Sequence, residues 1–146
     1  MISVSVALAT YNGERHIRRQ LESLAAQSHL PAELVVTDDC SNDNTVAIID
    51  EFARTASFPV NIYQNKDRLG FRANFMRAAS LCQSELISFC DQDDYWYSQK
   101  IATSVKPLND PEVLLTYHNA DIVAEDGTRI GTLASHVGPI WSPWLS

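Results

Sequence analysis

Short runs of aliphatic and β-branched residues recur along this chain, each followed by a stretch of helical period, and that alternation limits the fold more than any other feature. Ser3 to Ala9 (SVSVALA) is the first run. Glu14 to Gln27 follows, with Ile17, Leu21 and Leu24 on one face and Asn12 or Gly13 placed to cap it. Glu33 to Thr37 is a second strand, leading through the polar stretch 38–44 into a helix that carries Val46, Ile49, Phe52 and Ala53 inward. Pro59 to Tyr63 reads as a third strand and Asn65 to Gly70 as a loop. The spacing then predicts a helix over Phe71 to Leu81, with Phe71, Phe75 and Ala78 or Ala79 facing in. Glu85 to Cys90 is a fourth strand, followed by a helix from about Ser98 to Val105 and a strand from Val113 to His118. Strands alternating with helices give an α/β fold, with a mostly parallel sheet covered on both faces.

From Ala120 the pattern changes. Asp121 to Val123 and Thr128 to Gly131 read as a hairpin with Asp126-Gly127 at its turn, and His136 to Ser146 has no period but contains Trp141 and Trp144. The expected division is therefore a core over 1–119 and a second region over 120–146. An apolar content of 45% with 20% charged residues is that of a folded globular protein. The net charge of −7 excludes a nucleic-acid-binding surface, which needs clustered Lys and Arg. No apolar run reaches the ~20 residues of a membrane helix, and the first ten residues lack the basic and long apolar regions of a secretory leader. Three cysteines without a C-x-x-C pair indicate neither a disulfide framework nor a zinc site, so a cytoplasmic location is expected.

In open α/β sheets ligands bind beyond the carboxyl ends of the strands, near the point where strand order reverses. The polar residues gather there: Thr10, Tyr11 and Asn12 after the first strand, Asp38 and Asp39 after the second, and Asp91, Asp93 and Asp94 after the fourth. The glycine-rich phosphate loops are absent, since Gly13 stands alone. Carboxylates at a strand end supply another route, by holding a hard divalent cation that bridges diphosphate oxygens. Each signal also has an ordinary reading: Asp91 to Asp94 as a solvated turn, Ser41, Asp43 and Thr45 as turn and cap, Arg68 and Arg72 as surface charges.

Taken in order, four segments resemble the family 2 glycosyltransferases: Ala9-Thr10-Tyr11-Asn12-Gly13, Asp38 through Thr45, Asn65 to Gly70 with Asn74, and Cys90-Asp91-Gln92-Asp93-Asp94-Tyr95-Trp96 ahead of Lys100-Ile101. The resemblance implies a GT-A fold, Rossmann-like and incomplete at its C-terminal end. It implies that Thr10 and Tyr11 frame the nucleoside, that Asp39 bonds the pyrimidine ring, and that Asp38 supports that loop. Arg72 and Asn74 flank the donor. Asp91 and Asp93 form the family's D-x-D motif, with Asp93 on a Mn²⁺ or Mg²⁺ ion and Asp91 near ribose and metal. The form D-Q-D-D-x-W resembles the branch of bacterial rhamnosyltransferases, which implies dTDP-rhamnose or a UDP-hexose as the nucleoside-diphosphate sugar donor. It also implies a glycan or polysaccharide acceptor, and allows a membrane-proximal assembly at the inner face of the membrane. The family's reaction is a single displacement with inversion, in which a carboxylate base takes the acceptor proton. That base is expected downstream of the D-x-D motif; Asp121, Glu125 and Asp126 fall in the hairpin, so no catalytic residue is assigned in this chain.

The alternative is a non-catalytic protein that binds nucleotide or a partner. A receiver-like signalling domain fits less well, because its paired acids would follow the first strand and a Lys would end the last.

Overall fold

The computed structural model describes residues 2–124 and 126–134, and divides into two units, Met1–Lys106 and Pro107–Ser146. In the first unit four strands, β1 (Val4–Thr10), β2 (Glu33–Asp38), β3 (Val60–Gln64) and β4 (Leu86–Asp91), form one parallel sheet in the order β3-β2-β1-β4. Every residue of β1 and β2 is buried, as expected of interior parallel strands covered on both faces. The strand order reverses at β1, which lies between β2 and β4. Val6 pairs with Leu34 on one side and with Ser88 on the other.

Because successive side chains point to opposite faces, the register sorts the sheet into two unlike surfaces. On one face Val4, Val6 and Leu8 join Leu34, Val36, Leu86 and Cys90 in a dry core. It is closed by Ile17, Leu21 and Leu24 of α1 (Ile17–Ala25), Ile49 of α2 (Thr45–Ala53), and Ile101 of α4 (Lys100–Val105), with Trp96 beside it. Burial of this kind contributes about 1.5–3 kcal/mol for each large aliphatic side chain. The other face carries Ser5, Ala7 and Ala9 with Glu33, Val35 and Thr37, small or polar residues that let α3 (Phe71–Leu81) lie on β1 and β2. Its buried polar groups are bonded: Ser5 Oγ donates to Glu33 Oε1 at 2.6 Å, Asn61 Nδ2 to Glu33 Oε2 at 3.0 Å, and Thr37 Oγ1 to the Asn74 carbonyl at 2.9 Å. Such pairing is what makes buried polar groups tolerable.

Four expectations are corrected. The first helix starts at Ile17 rather than Glu14, because the Gly13 carbonyl accepts from both His16 N and Ile17 N, closing a turn first. Neither Asn12 nor Gly13 caps it; the Asn12 side chain instead accepts from Asn42 N. Phe71 does not face the core. It is 74% exposed at the first turn of α3, where Asn74, Phe75 and Ala78 are the buried residues. Val113 to His118 forms no strand: Leu114 and Leu115 are 91% and 76% exposed, so the apolar pair at its centre is not packed as a strand's would be.

In the second unit a short helical turn (Pro107–Asn109) precedes an antiparallel hairpin of β5 (Asp121–Val123) and β6 (Arg129–Thr132). Gly127 takes φ +84° at its turn, where Asp126 Oδ1 accepts from Thr128 N. The residues His136 to Ser146, with both tryptophans, and Glu125 lie outside the described residues. No helix among the described residues is long and apolar enough to cross a membrane.

Candidate functional site

A cleft of about 300 Å³ opens at the carboxyl ends of β1, β2 and β4, on the polar side of the sheet. Ala9, Thr10 and Tyr11 line it from the first strand, Asp39 from the second and Asp91, Gln92 and Asp93 from the fourth, with Arg68, Phe71 and Asn74 opposite. It therefore sits at the reversal of strand order, where α/β sheets leave a crevice. Six residues singled out in the sequence meet here: Thr10, Tyr11, Asp39, Asn74, Asp91 and Asp93. Asp38 and Arg72 are not among the lining residues; Asp38 is buried behind the cleft and Arg72 is exposed on α3.

Adjacent aspartates at the end of β2 do different work because the backbone turns between them and the next helix. Asp38 Oδ2 accepts from Thr10 Oγ1 at 2.8 Å and from Ser41 Oγ at 2.5 Å, and its Oδ1 accepts from Ser41 N at 2.8 Å. It ties β1 to the β2–α2 loop, and the Thr10 hydroxyl is committed to that tie. Cys40 then takes φ +66°, uncommon for a residue with a side chain. Asp39, only 2% exposed, accepts from Leu69 N at 2.7 Å and Asn65 Nδ2 at 2.8 Å on Oδ1, and from Gly70 N at 2.8 Å on Oδ2. Burial opposes its ionisation, but these three donors and the charge of Arg68 outweigh it and hold the carboxyl below the usual range. Asp39 thus keeps its negative charge and fixes the loop that ends at Gly70.

Asn74 locks the floor. Its Nδ2 donates to the Thr37 carbonyl at 2.9 Å and to the Thr10 carbonyl at 3.3 Å, while its Oδ1 accepts from Asn65 Nδ2 at 2.9 Å. Arg77 donates in turn to Asn65 Oδ1. On the cleft wall the Arg68 guanidinium lies 3.8 Å from the centre of the Tyr11 ring, a cation–π contact that marks one flat face of the cleft.

The acidic turn is pinned at both ends. Cys90 is buried before it, accepting from Gln20 Nε2, and Trp96 is buried after it, donating its backbone N–H to Ser23 Oγ at 3.1 Å. Between these anchors Asp91, Asp93 and Asp94 crowd together. Burial, with the charges of Asp94 and Asp93, raises the Asp91 carboxyl above its ordinary value. A cation would relieve this repulsion. Among the described residues no group of three or more His, Cys, Asp or Glu side chains forms a closed metal cage. One or two carboxylates completed by water and phosphate oxygens are the usual ligands of Mg²⁺, and Asp91 with Asp93 fits that open arrangement.

Ser41, Asp43 and Thr45, read from sequence as turn and cap, knit the loops behind the cleft. Gly13 N donates to Thr45 Oγ1 at 2.7 Å, Asn12 N to Ser41 Oγ at 2.9 Å, and Thr45 Oγ1 to Asp43 Oδ1 at 2.5 Å. Sequence reasoning missed Arg68 and Gln92 as lining residues. Gln92 stands inside the acidic motif, and that position was the available signal.

Comparison with known proteins agrees with this architecture. The sequence model described as Glycosyl transferase family 2 matches residues 5–142. The dTDP-rhamnosyl transferase RfbG of Shigella flexneri is 36% identical over 105 residues, covering 69% of this chain and 36% of that protein. The structure of Staphylococcus aureus TarS 1-349 with UDP-GlcNAc superposes with a TM-score of 0.67 at 29% identity, covering 75% of this chain and 32% of that one. The mannosyltransferase PcManGT of Pyrobaculum calidifontis, solved with GDP-Man and Mn²⁺, gives 0.69 at 25% identity, covering 83% and 35%. The chain thus spans about a third of the length of each of these three proteins. With four parallel strands, a cleft at their reversal point and the family's sequence pattern across nearly its whole length, the chain belongs to glycosyl transferase family 2 and has its GT-A fold.

Proposed function

We propose that this chain is the donor-binding part of a glycosyltransferase, holding a nucleoside-diphosphate sugar for inverting transfer to a cell-surface polysaccharide or related glycan. The observation that carries this reading is the convergence of Tyr11, Asp39, Asp91 and Asp93, from three strand ends, on one cleft. In this reading the nucleoside lies against Tyr11, and Asp39 receives a ring N–H of a pyrimidine; its Oδ2 accepts only one bond, from Gly70, and so retains acceptor capacity. Thr10, Asp38 and Asn74 hold these groups in place, while Arg68 supplies positive charge at the cleft wall and Arg72 stands exposed on the adjoining helix α3. Asp91 and Asp93 would hold Mn²⁺ or Mg²⁺, which when bound neutralises charge on the departing diphosphate. The likeness to RfbG supports dTDP-rhamnose as donor, and TarS supports the UDP-sugars. Relatives named for surface polymers support a cytoplasmic site at the inner face of the membrane.

Asp121 and Asp126 of the hairpin are engaged elsewhere. Asp121 pairs with Arg129 at 2.6 Å, and Asp126 binds Thr128 N, which holds its carboxyl below the usual range. Neither Asp121 nor Asp126 is offered as the catalytic base, and in this reading residues 1–146 by themselves bind donor and transfer sugar poorly. Calorimetric titration of dTDP, UDP, GDP and ADP, with and without Mn²⁺ or Mg²⁺, tests the reading. Metal-dependent binding of a pyrimidine diphosphate that is lost in Asp93→Ala is the expected result. Absence of nucleotide binding by folded protein, or robust sugar transfer by the chain alone, would contradict it.

A further inference from the structure

The residue between the two aspartates of the acidic motif does not point to solvent. The side-chain amide of Gln92 faces the Tyr11 backbone in both directions: Tyr11 N donates to Gln92 Oε1 at 3.0 Å, and Gln92 Nε2 donates to the Tyr11 carbonyl at 3.1 Å. The two residues are 81 positions apart, and this pair of bonds joins the segments that follow the neighbouring strands β1 and β4, both of which line the cleft. The opening is shaped for that amide. A Cβ on Gly13 would stand 2.3 Å from Gln92 Oε1 and 2.6 Å from its Cδ, closer than real contacts allow. Gly13 takes no left-handed conformation, so its role here is to leave room.

We propose that Gln92 is a positioning residue that couples occupancy of the acidic rim, at Asp91 and Asp93, to the grip of the cleft on a nucleoside at Tyr11. The inference rests on the donor-binding reading above. A side-chain amide can match both halves of a peptide group; a carboxylate keeps only the acceptor, and an aliphatic chain keeps neither. With the brace in place the two segments move as one body, so a cation that orders the acidic turn also orders the Tyr11 loop. Coupling of this kind is reciprocal: the factor by which metal tightens nucleotide equals the factor by which nucleotide tightens metal. The brace sets that factor, whereas Asp93 sets whether metal binds.

The test compares wild type with Gln92→Met, which keeps the volume, Gln92→Glu, and Gly13→Ala alone and combined with Gln92→Met. Two readouts are needed: hydrogen exchange at the Tyr11 amide in the metal-free protein, and calorimetric affinity for dTDP and UDP with and without Mn²⁺. Gln92→Met should speed Tyr11 exchange about tenfold or more while β1 amides stay protected. The Mn²⁺ enhancement, taken as the ratio of nucleotide affinities with and without metal in the same variant, should shrink by about tenfold, within the usual range of coupling. Gln92→Glu should lie between the two. Gly13→Ala should mimic the loss in the wild-type background and add little to Gln92→Met, as expected of residues acting through one contact. Unchanged Tyr11 exchange, or an Mn²⁺ enhancement that survives Gln92→Met, overturns the proposal while leaving the donor-binding reading intact. A folded wild type that binds neither nucleotide overturns both.

Discussion

The two faces of the sheet are made by the same strands, yet they differ in almost every physical respect. One is a dry aliphatic layer in which Val6, Leu8, Leu34 and Val36 are fully buried against α1 and α2. The other is built of Ser5, Ala7, Ala9 and Thr37, with Glu33 and Asn74 buried among hydrogen bonds. The contrast teaches where stability and recognition reside. Apolar packing is non-directional and tolerates no ligand, whereas hydrogen bonds position backbone and carboxylates with the directionality a binding cleft needs. Small side chains on the second face also let α3 come close enough for Asn74 to reach the Thr10 and Thr37 carbonyls.

Substitutions can break this division of labour. Leu8→Ala, on the dry face, should cost about 2–5 kcal/mol in denaturant unfolding, since it opens a cavity where nothing can collapse. If enough protein remains folded, its nucleotide affinity should be unchanged; a large loss of affinity would mean that the faces are not independent. Asp93→Ala is the converse. Metal-dependent nucleotide binding should fall on the order of 100-fold, about 2.7 kcal/mol, with an unfolding midpoint close to wild type. Asn74→Ala should lose in both assays, because it leaves the Thr37 carbonyl short of a donor at about 1–3 kcal/mol and loosens the cleft floor.

Asp91→Asn sharpens the comparison through its sign. Burial, with the charges of Asp94 and Asp93, raises the Asp91 carboxyl in the folded protein, so the folded state holds that proton more tightly than the unfolded chain. The associated stability is present below the unfolded value and is lost as pH rises through the folded one. At neutral pH the amide variant should therefore melt slightly higher than wild type without metal, by a few degrees at most. Added Mn²⁺ should reverse the order, which a thermal scan with and without metal would show. A variant that melts lower in both conditions would mean that repulsion at the acidic turn is negligible.

The strands were legible from their apolar runs, with one systematic displacement. Ser3–Ala9, Glu33–Thr37, Pro59–Tyr63 and Glu85–Cys90 become Val4–Thr10, Glu33–Asp38, Val60–Gln64 and Leu86–Asp91. Each ladder runs one residue further, onto Thr10, Asp38, Gln64 or Asp91, because backbone pairing continues where hydrophobicity stops. In β1 and β4 that polar last residue, Thr10 or Asp91, lines the cleft, so periodicity underestimates the strand where chemistry replaces packing. Candidate site residues were legible for a related reason: their acids sit where strands end. Local pattern alone does not separate Asp38 from Asp39; the family resemblance is what pointed to Asp39, and Asp39 is the one that lines the cleft. Asp38 and Asp39 are chemically alike, and the left-handed Cys40 and the Asn65–Gly70 loop decide between them. Gln92 and Arg68 were missed because their partners stand 81 and 57 positions away at Tyr11, beyond any local pattern.

The order β3-β2-β1-β4 also sets a sequence of events as the chain emerges during synthesis. β1 is made first but ends between β2 and β4, and its pairing of Val4 with Leu86 waits until more than half the chain exists. Parallel pairing across such a separation is slow, because the loop must close before contacts reward it. The cleft wall from β1, β2 and the Asn65–Gly70 loop is available before the acidic turn arrives on β4. Cleft assembly is thus a late step of folding, and a ligand that spans both would act as a template for the last strand to dock.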